Sequence, residues 1–271
     1  MVFTETKKIL LFSAIWLIPI ISNALPDYNP QDSLEAVELF RKAVDFGRKG
    51  DPVRALETFE KSLFFRKKVF GEMHYRLGST YMGMAIQYKN LFQLENAYRY
   101  YQKAEQMYLF NAPENDSRLG DVYTNMGNYY RLKGNLGEAI RFHERALFIY
   151  EHSPDDIPEG NYLSVVYNLA DCYHQVNREA EALKLATRYS TSGSFRNQLN
   201  YLNLLASIYA ASGKVSQAES IYHSIFEKFR HNKEADEPFL ADQYLYYAQF
   251  LNKTSQKDSA LHYLLKAGEI Y

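Results

Sequence analysis

Cysteine is almost missing from this chain: Cys172 stands alone among 271 residues, so neither a disulfide framework nor a thiolate metal site can form within it. With 8 Pro and 13 Gly, it has too few chain-breaking residues for a loop-rich β protein. Net charge is nearly absent as well, 31 Lys and Arg facing 32 Asp and Glu for a sum of −1. No cation excess exists to neutralise a phosphate backbone, which argues against nucleic acid. A polybasic membrane anchor and an acidic disordered tail are excluded on the same ground. Aromatic residues are what the chain has in quantity: 24 Tyr and 17 Phe, within a hydrophobic fraction of 46%. Such a composition predicts an ordered, largely helical protein with a large core.

The one sustained apolar run lies at the start. Lys7 and Lys8 precede Ile9 to Ile21, a stretch interrupted only by Ser13 and Pro19. At 13 residues it falls short of the roughly 18 to 20 needed to span a bilayer. Ser22-Asn23-Ala24 then sets small residues three and one positions before a cut, the pattern signal peptidase accepts. Residues 1–24 are therefore expected to be a cleavable signal peptide and 25–33 a linker. The predicted destination is periplasmic or extracellular, with no membrane contact beyond the signal. No cysteine follows the run to carry a lipid.

The remainder repeats itself. Ala55, Ala97, Ala139, Ala182, Ala218 and Ala260 are spaced by 42, 42, 43, 36 and 42 residues. Twelve residues before each stands another small residue (Ala43, Ala85, Gly127, Ala170, Ala206, Ala248), and three after that a large apolar one (Phe46, Tyr88, Tyr130, Tyr173, Tyr209, Leu251). Each unit reads as two helices. In the third, Tyr123, Met126, Gly127 and Tyr130 share one helical face, Leu132-Lys-Gly-Asn135 makes the turn, and Ala139, Phe142, Ala146 and Ile149 form the face of the second helix. In the first, Gly50 ends one helix, Asp51 can cap the next and Pro52 suits its first turn. Small residues let the helices of a hairpin approach, and large neighbours fill the space beside them. Polar stretches at 111–117, 152–159 and 231–237, with Ser190 to Ser194, separate the units.

These residues resemble the tetratricopeptide repeats. That pattern asks for a large residue at position 4, then Leu at 7, Gly or Ala at 8, Tyr at 11, Ala at 20, an aromatic at 24 and Ala at 27. The third repeat offers Tyr123, Met126, Gly127, Tyr130, Ala139, His143 and Ala146; the second offers Tyr81, Met84, Ala85, Tyr88, Ala97, Tyr101 and Ala104. The 42-residue period and the loop Phe70-Gly-Glu-Met-His74 resemble the kinesin-light-chain-like branch. The usual Pro at position 32 is missing, and Tyr189 and Ile225 replace the small residue at 27, so repeats four and five are expected to pack at altered angles. The resemblance implies an all-α, right-handed superhelical solenoid of about six repeats over 34–271, near 36–77, 78–119, 120–162, 163–198, 199–240 and 241–271.

It also implies a concave groove lined by positions 2, 5, 6, 9, 12 and 13 of each first helix. Asn125 and Asn168, Asn128 and Asp171, Arg131 and His174 stand one repeat apart in that register, and Asn203 belongs to the next unit. An asparagine amide donates and accepts at once, so it can clamp an extended peptide backbone; the resemblance supports Asn125 and Asn168 most. The same residues also suit an ordinary solvated helix face. The expected partner is a protein or peptide.

Catalytic signatures are missing: there is no His-Glu-x-x-His, no phosphate-cradling glycine loop and no Gly-x-Ser-x-Gly elbow. Cys172 and His174 diverge by about 200° on one helix, which separates them as a nucleophile–base pair. His143, at an aromatic position, reads as a packing histidine. No enzyme activity, metal or cofactor is expected of these residues. The last repeat ends without a polar capping helix, so a second copy or further chain is expected to cover it. By resemblance, exported repeats of this kind continue into a CHAT-type peptidase domain or, through a membrane helix, into a histidine kinase. A regulatory region of such an enzyme and a self-assembling scaffold are the alternatives to a peptide-binding module.

Overall fold

A computed structural model describes residues 29–111, 116–232 and 237–271. The expected signal peptide lies outside the described residues. Among them are twelve α-helices and no strand: α1 (Pro30–Arg48), α2 (Pro52–Phe70), α3 (Tyr75–Asn90), α4 (Leu94–Asn111), α5 (Ser117–Leu132), α6 (Leu136–His152), α7 (Glu159–Gln175), α8 (Glu179–Tyr189), α9 (Phe195–Ala211), α10 (Val215–His231), α11 (Glu237–Lys253) and α12 (Lys257–Gly268). Consecutive helices pair as six hairpins, and each hairpin packs on the next. The first helices of neighbouring repeats touch in a row along α5, α7, α9 and α11. This is the helical solenoid the repeat pattern predicts. Its first helix starts at Pro30, inside the expected linker, because Asn29 accepts the Gln31 N–H at 2.9 Å and Pro30 opens the helix.

The hairpin turns repeat as strictly as the helices. Gly50, Phe92, Gly134, Asn177, Gly213 and Ser255 all have positive φ, between 58° and 76°. Asp51 and Asn135 then cap α2 and α6 by accepting the N–H of Arg54 at 3.0 Å and of Glu138 at 3.2 Å. A left-handed turn residue followed by a cap reverses the chain in the least length, so the two helices of each pair lie close.

The small positions do what the pattern requires of them. Ala43, Ala85, Ala170 and Ala206 in the first helices and Ala55, Ala139, Ala182 and Ala218 in the second are completely buried. Position 24 carries Phe59, Tyr101, His143, Ala186, Tyr222 and Leu264 in turn. His143 presses its ring on Gly127 so closely that a β-carbon there would sit 2.6 Å from Cε1. Altered packing angles are expected in repeats four and five; the difference the structure shows is one of spacing, between repeats five and six. Tyr222, Phe226 and Phe229 of α10 meet Tyr247, Phe250, Tyr244 and Phe239 of α11 ring to ring, with centroids 5.0 to 5.7 Å apart. Their backbones accordingly approach less than those of other consecutive helices. On α12, Ala260 and Ala267 are buried while Leu261, Leu264 and Leu265 are exposed.

Candidate groove site

The first helices of repeats four, five and six enclose a cavity of about 640 Å³. Its floor is the short-chained stripe of α9, with Asn203, Ser207, Ala210 and Ala211; α7 supplies the wall Tyr167, Asp171 and His174, and α11 supplies Tyr246, Gln249 and Lys253. In the repeat register these are positions 5, 6, 9, 12 and 13, the ones expected to face a groove. Repeat five has Ala210 and Ala211 where repeat three has Arg131 and Leu132, so side chains that fill the face in one unit are missing in the other.

Three of the seven candidate residues, Asp171, His174 and Asn203, line this cavity. Asn203 is only 9% exposed. Its Nδ2 donates to Gln243 Oε1 at 2.7 Å, and Gln243 Nε2 donates to the Phe239 carbonyl at 3.4 Å. That relay fixes the direction of the Asn203 amide and leaves Oδ1 buried without a protein donor. Asp171 accepts from Gln175 Nε2 at 2.7 Å through Oδ2, and Arg131 Nη1 lies 3.8 Å from the same oxygen. Burial raises the Asp171 carboxyl above its ordinary range; Arg131 only partly offsets this. His174 bridges two helices, with Nδ1 3.1 Å from Glu179 Oε2 and Nε2 3.1 Å from Ser207 Oγ.

The other four stand elsewhere. Asn125 is engaged within the protein: Tyr101 OH donates to its Oδ1 at 3.3 Å and its Nδ2 donates to the Asp121 carbonyl at 2.9 Å. Asn128 has a buried Oδ1 with no donor, and Arg131, which reaches Asp171 across the repeat boundary, has a buried Nε with no acceptor. Asn168 is half-buried on α7 and lies outside the cavity lining. Cys172 is completely buried, and burial pushes its thiol up to about 11, which suits packing rather than nucleophilic chemistry.

Ser207, Tyr222 and Tyr246 are among the lining residues outside the candidate set. Ser207 occupies the register position of Asn128 and Asp171, so extending the period by one repeat would have found it. The order Ser207–His174–Glu179 has the connectivity of a hydrolase triad. However, Ser207 lies in the middle of α9, where neighbouring backbone N–H groups are committed to the helix and cannot form an oxyanion hole. These bonds tie α7, α8 and α9 together and stiffen the cavity wall.

No protein-family profile and no curated protein matches the sequence. Solved structures do match in fold. A kinesin-light-chain-like protein of nearly identical TPR-like repeats from Podosopora anserina aligns with TM-score 0.61 and 17% identity, over 75% of this chain and 98% of that one. Pseudomonas aeruginosa PilF aligns with TM-score 0.60 and 14% identity, over 89% and 94%. A Rap protein complexed with competence and sporulation factor aligns with TM-score 0.60 and 13% identity, over 88% and 74%. The fold is therefore that of tetratricopeptide-repeat proteins.

Proposed function

We propose that this chain is an exported interaction module that holds an extended segment of a partner protein along its concave face. The observation that carries the reading is the cavity of repeats four to six, where groove positions of three successive first helices surround about 640 Å³. A row of parallel helix faces presents side chains at regular steps, which suits a ligand that is itself extended and repetitive. The Rap structure, matched in fold and complexed with competence and sporulation factor, supports a ligand-binding use of such a scaffold. A selection of random decapeptides displayed on phage tests it, with Ser207→Trp as a variant whose cavity is filled. Enriched peptides should bind the wild-type chain and lose binding to the variant. Peptides indifferent to the substitution would contradict the reading.

Export rests on Lys7, Lys8, the apolar run and Ser22-Asn23-Ala24. Amino-terminal sequencing of protein from the producing cell should begin at Leu25; a start at Met1 would overturn it. A second reading, self-assembly, is favoured by the exposed Leu261, Leu264 and Leu265 on α12, a face that a second copy of this chain would cover.

A further inference from the structure

The groove cavity is not chemically neutral toward what enters it. Two of its lining residues carry an acceptor oxygen without a protein donor. Asn203 Oδ1 is buried, and the Gln243 relay fixes the amide that carries it. Asp171 takes both its described polar contacts, Gln175 and the distant Arg131, on Oδ2, which leaves Oδ1 for a ligand. Of the lining tyrosines, exposed Tyr246 and half-buried Tyr167 supply aromatic surface that attracts a cation and tolerates its alkyl stem, while Tyr222 packs on Tyr247 and Phe250. Of the cations nearby, Arg131 pairs with Asp171 and is not a lining residue, and Lys253 is an exposed lining residue.

We propose that this cavity takes a basic side chain, lysine or arginine, from the extended segment bound in the groove. A cationic donor satisfies Asn203 Oδ1, compensates the half-buried Asp171 carboxylate and stacks on the tyrosines. A carboxylate would meet two acceptors and be repelled. An apolar side chain would leave both acceptors unpaired after excluding water from them. The proposal rests on the groove-binding reading above and adds the chemistry of one subsite to it.

The test uses the full chain and the decapeptides enriched in the display selection. One peptide position should be held by lysine or arginine. Replacing that residue by norleucine or citrulline, which keep the shape and remove the charge, should weaken binding tenfold or more, about the effect of losing one charge-assisted hydrogen bond. Asp171→Asn, isosteric and uncharged, should cost a similar factor for the basic peptide and nothing for its norleucine or citrulline partner. Lys253→Glu should tighten the basic peptide by about two- to fivefold. Enriched peptides with no basic position, or basic peptides indifferent to Asp171→Asn, would overturn the proposal and leave groove binding standing. A selection that enriches no peptide would overturn both.

Discussion

His143 is completely buried in the hairpin of α5 and α6, and neither ring nitrogen meets a hydrogen-bond partner. Burial lowers its pKa from 6.5 to about 4, with the Arg131 charge acting in the same direction. The folded chain therefore holds a neutral imidazole that the unfolded chain would protonate below 6.5. Stability from this group is complete above pH 6.5 and is lost as the pH falls toward 4. At pH 4.5 most of that penalty is present, about 2.5 kcal/mol relative to pH 7.5. His143→Phe restores the aromatic that position 24 carries in the first repeat, Phe59, and removes the titration. Thermal unfolding of wild type and variant at pH 7.5 and 4.5 measures the difference. The variant should be at least as stable at pH 7.5, because two unpaired polar atoms leave the core. Its midpoint should fall less on acidification, by about 5–10 °C for a chain of this size. Equal acid shifts in the two proteins would refute the reasoning, since they would mean that His143 is not held neutral by the fold.

Gly127→Ala places a β-carbon 2.6 Å from the same ring and should destabilise by about 1–3 kcal/mol; combining it with His143→Ala should recover part of that loss in a double-mutant cycle followed by urea unfolding. Phe92 holds φ 58° at a turn where three sister repeats have glycine and is 89% exposed, so Phe92→Gly should raise the unfolding midpoint, by the order of 1 kcal/mol in stability. An unchanged or lower midpoint would show that the phenylalanine contributes contacts of its own. Leu261→Ser with Leu265→Ser should abolish concentration-dependent association in sedimentation equilibrium, and a wild-type chain that stays monomeric throughout the range would remove self-assembly as a reading.

The helices were legible because periodicity leaves its mark wherever a buried small residue recurs. Ala43 to Ala248 and Ala55 to Ala260 mark both helices of every repeat, and helix ends at Gly50, Asp51 and Asn135 were readable from turn and cap chemistry alone. The turns of repeats two, four and six were less so. Phe92, Asn177 and Ser255 adopt the glycine conformation without being glycine, and only alignment against Gly50, Gly134 and Gly213 reveals them. The groove was legible as a face but not as a site. Which part of it is hollow depends on absent bulk, Ala210 and Ala211 in place of Arg131 and Leu132, and on ring spacing between α10 and α11. Hydrogen bonds across the chain decided the rest: Tyr101 engages the Asn125 amide, while Gln243, 40 residues away, fixes that of Asn203 with one acceptor left over.

Hydrogen–deuterium exchange of the chain with and without an enriched decapeptide addresses the groove directly. Binding on the concave face of repeats four to six predicts new protection in α7, α9 and α11 and little change in α8 or the first four helices. Protection confined to α8, α12 or the first two repeats would contradict that placement.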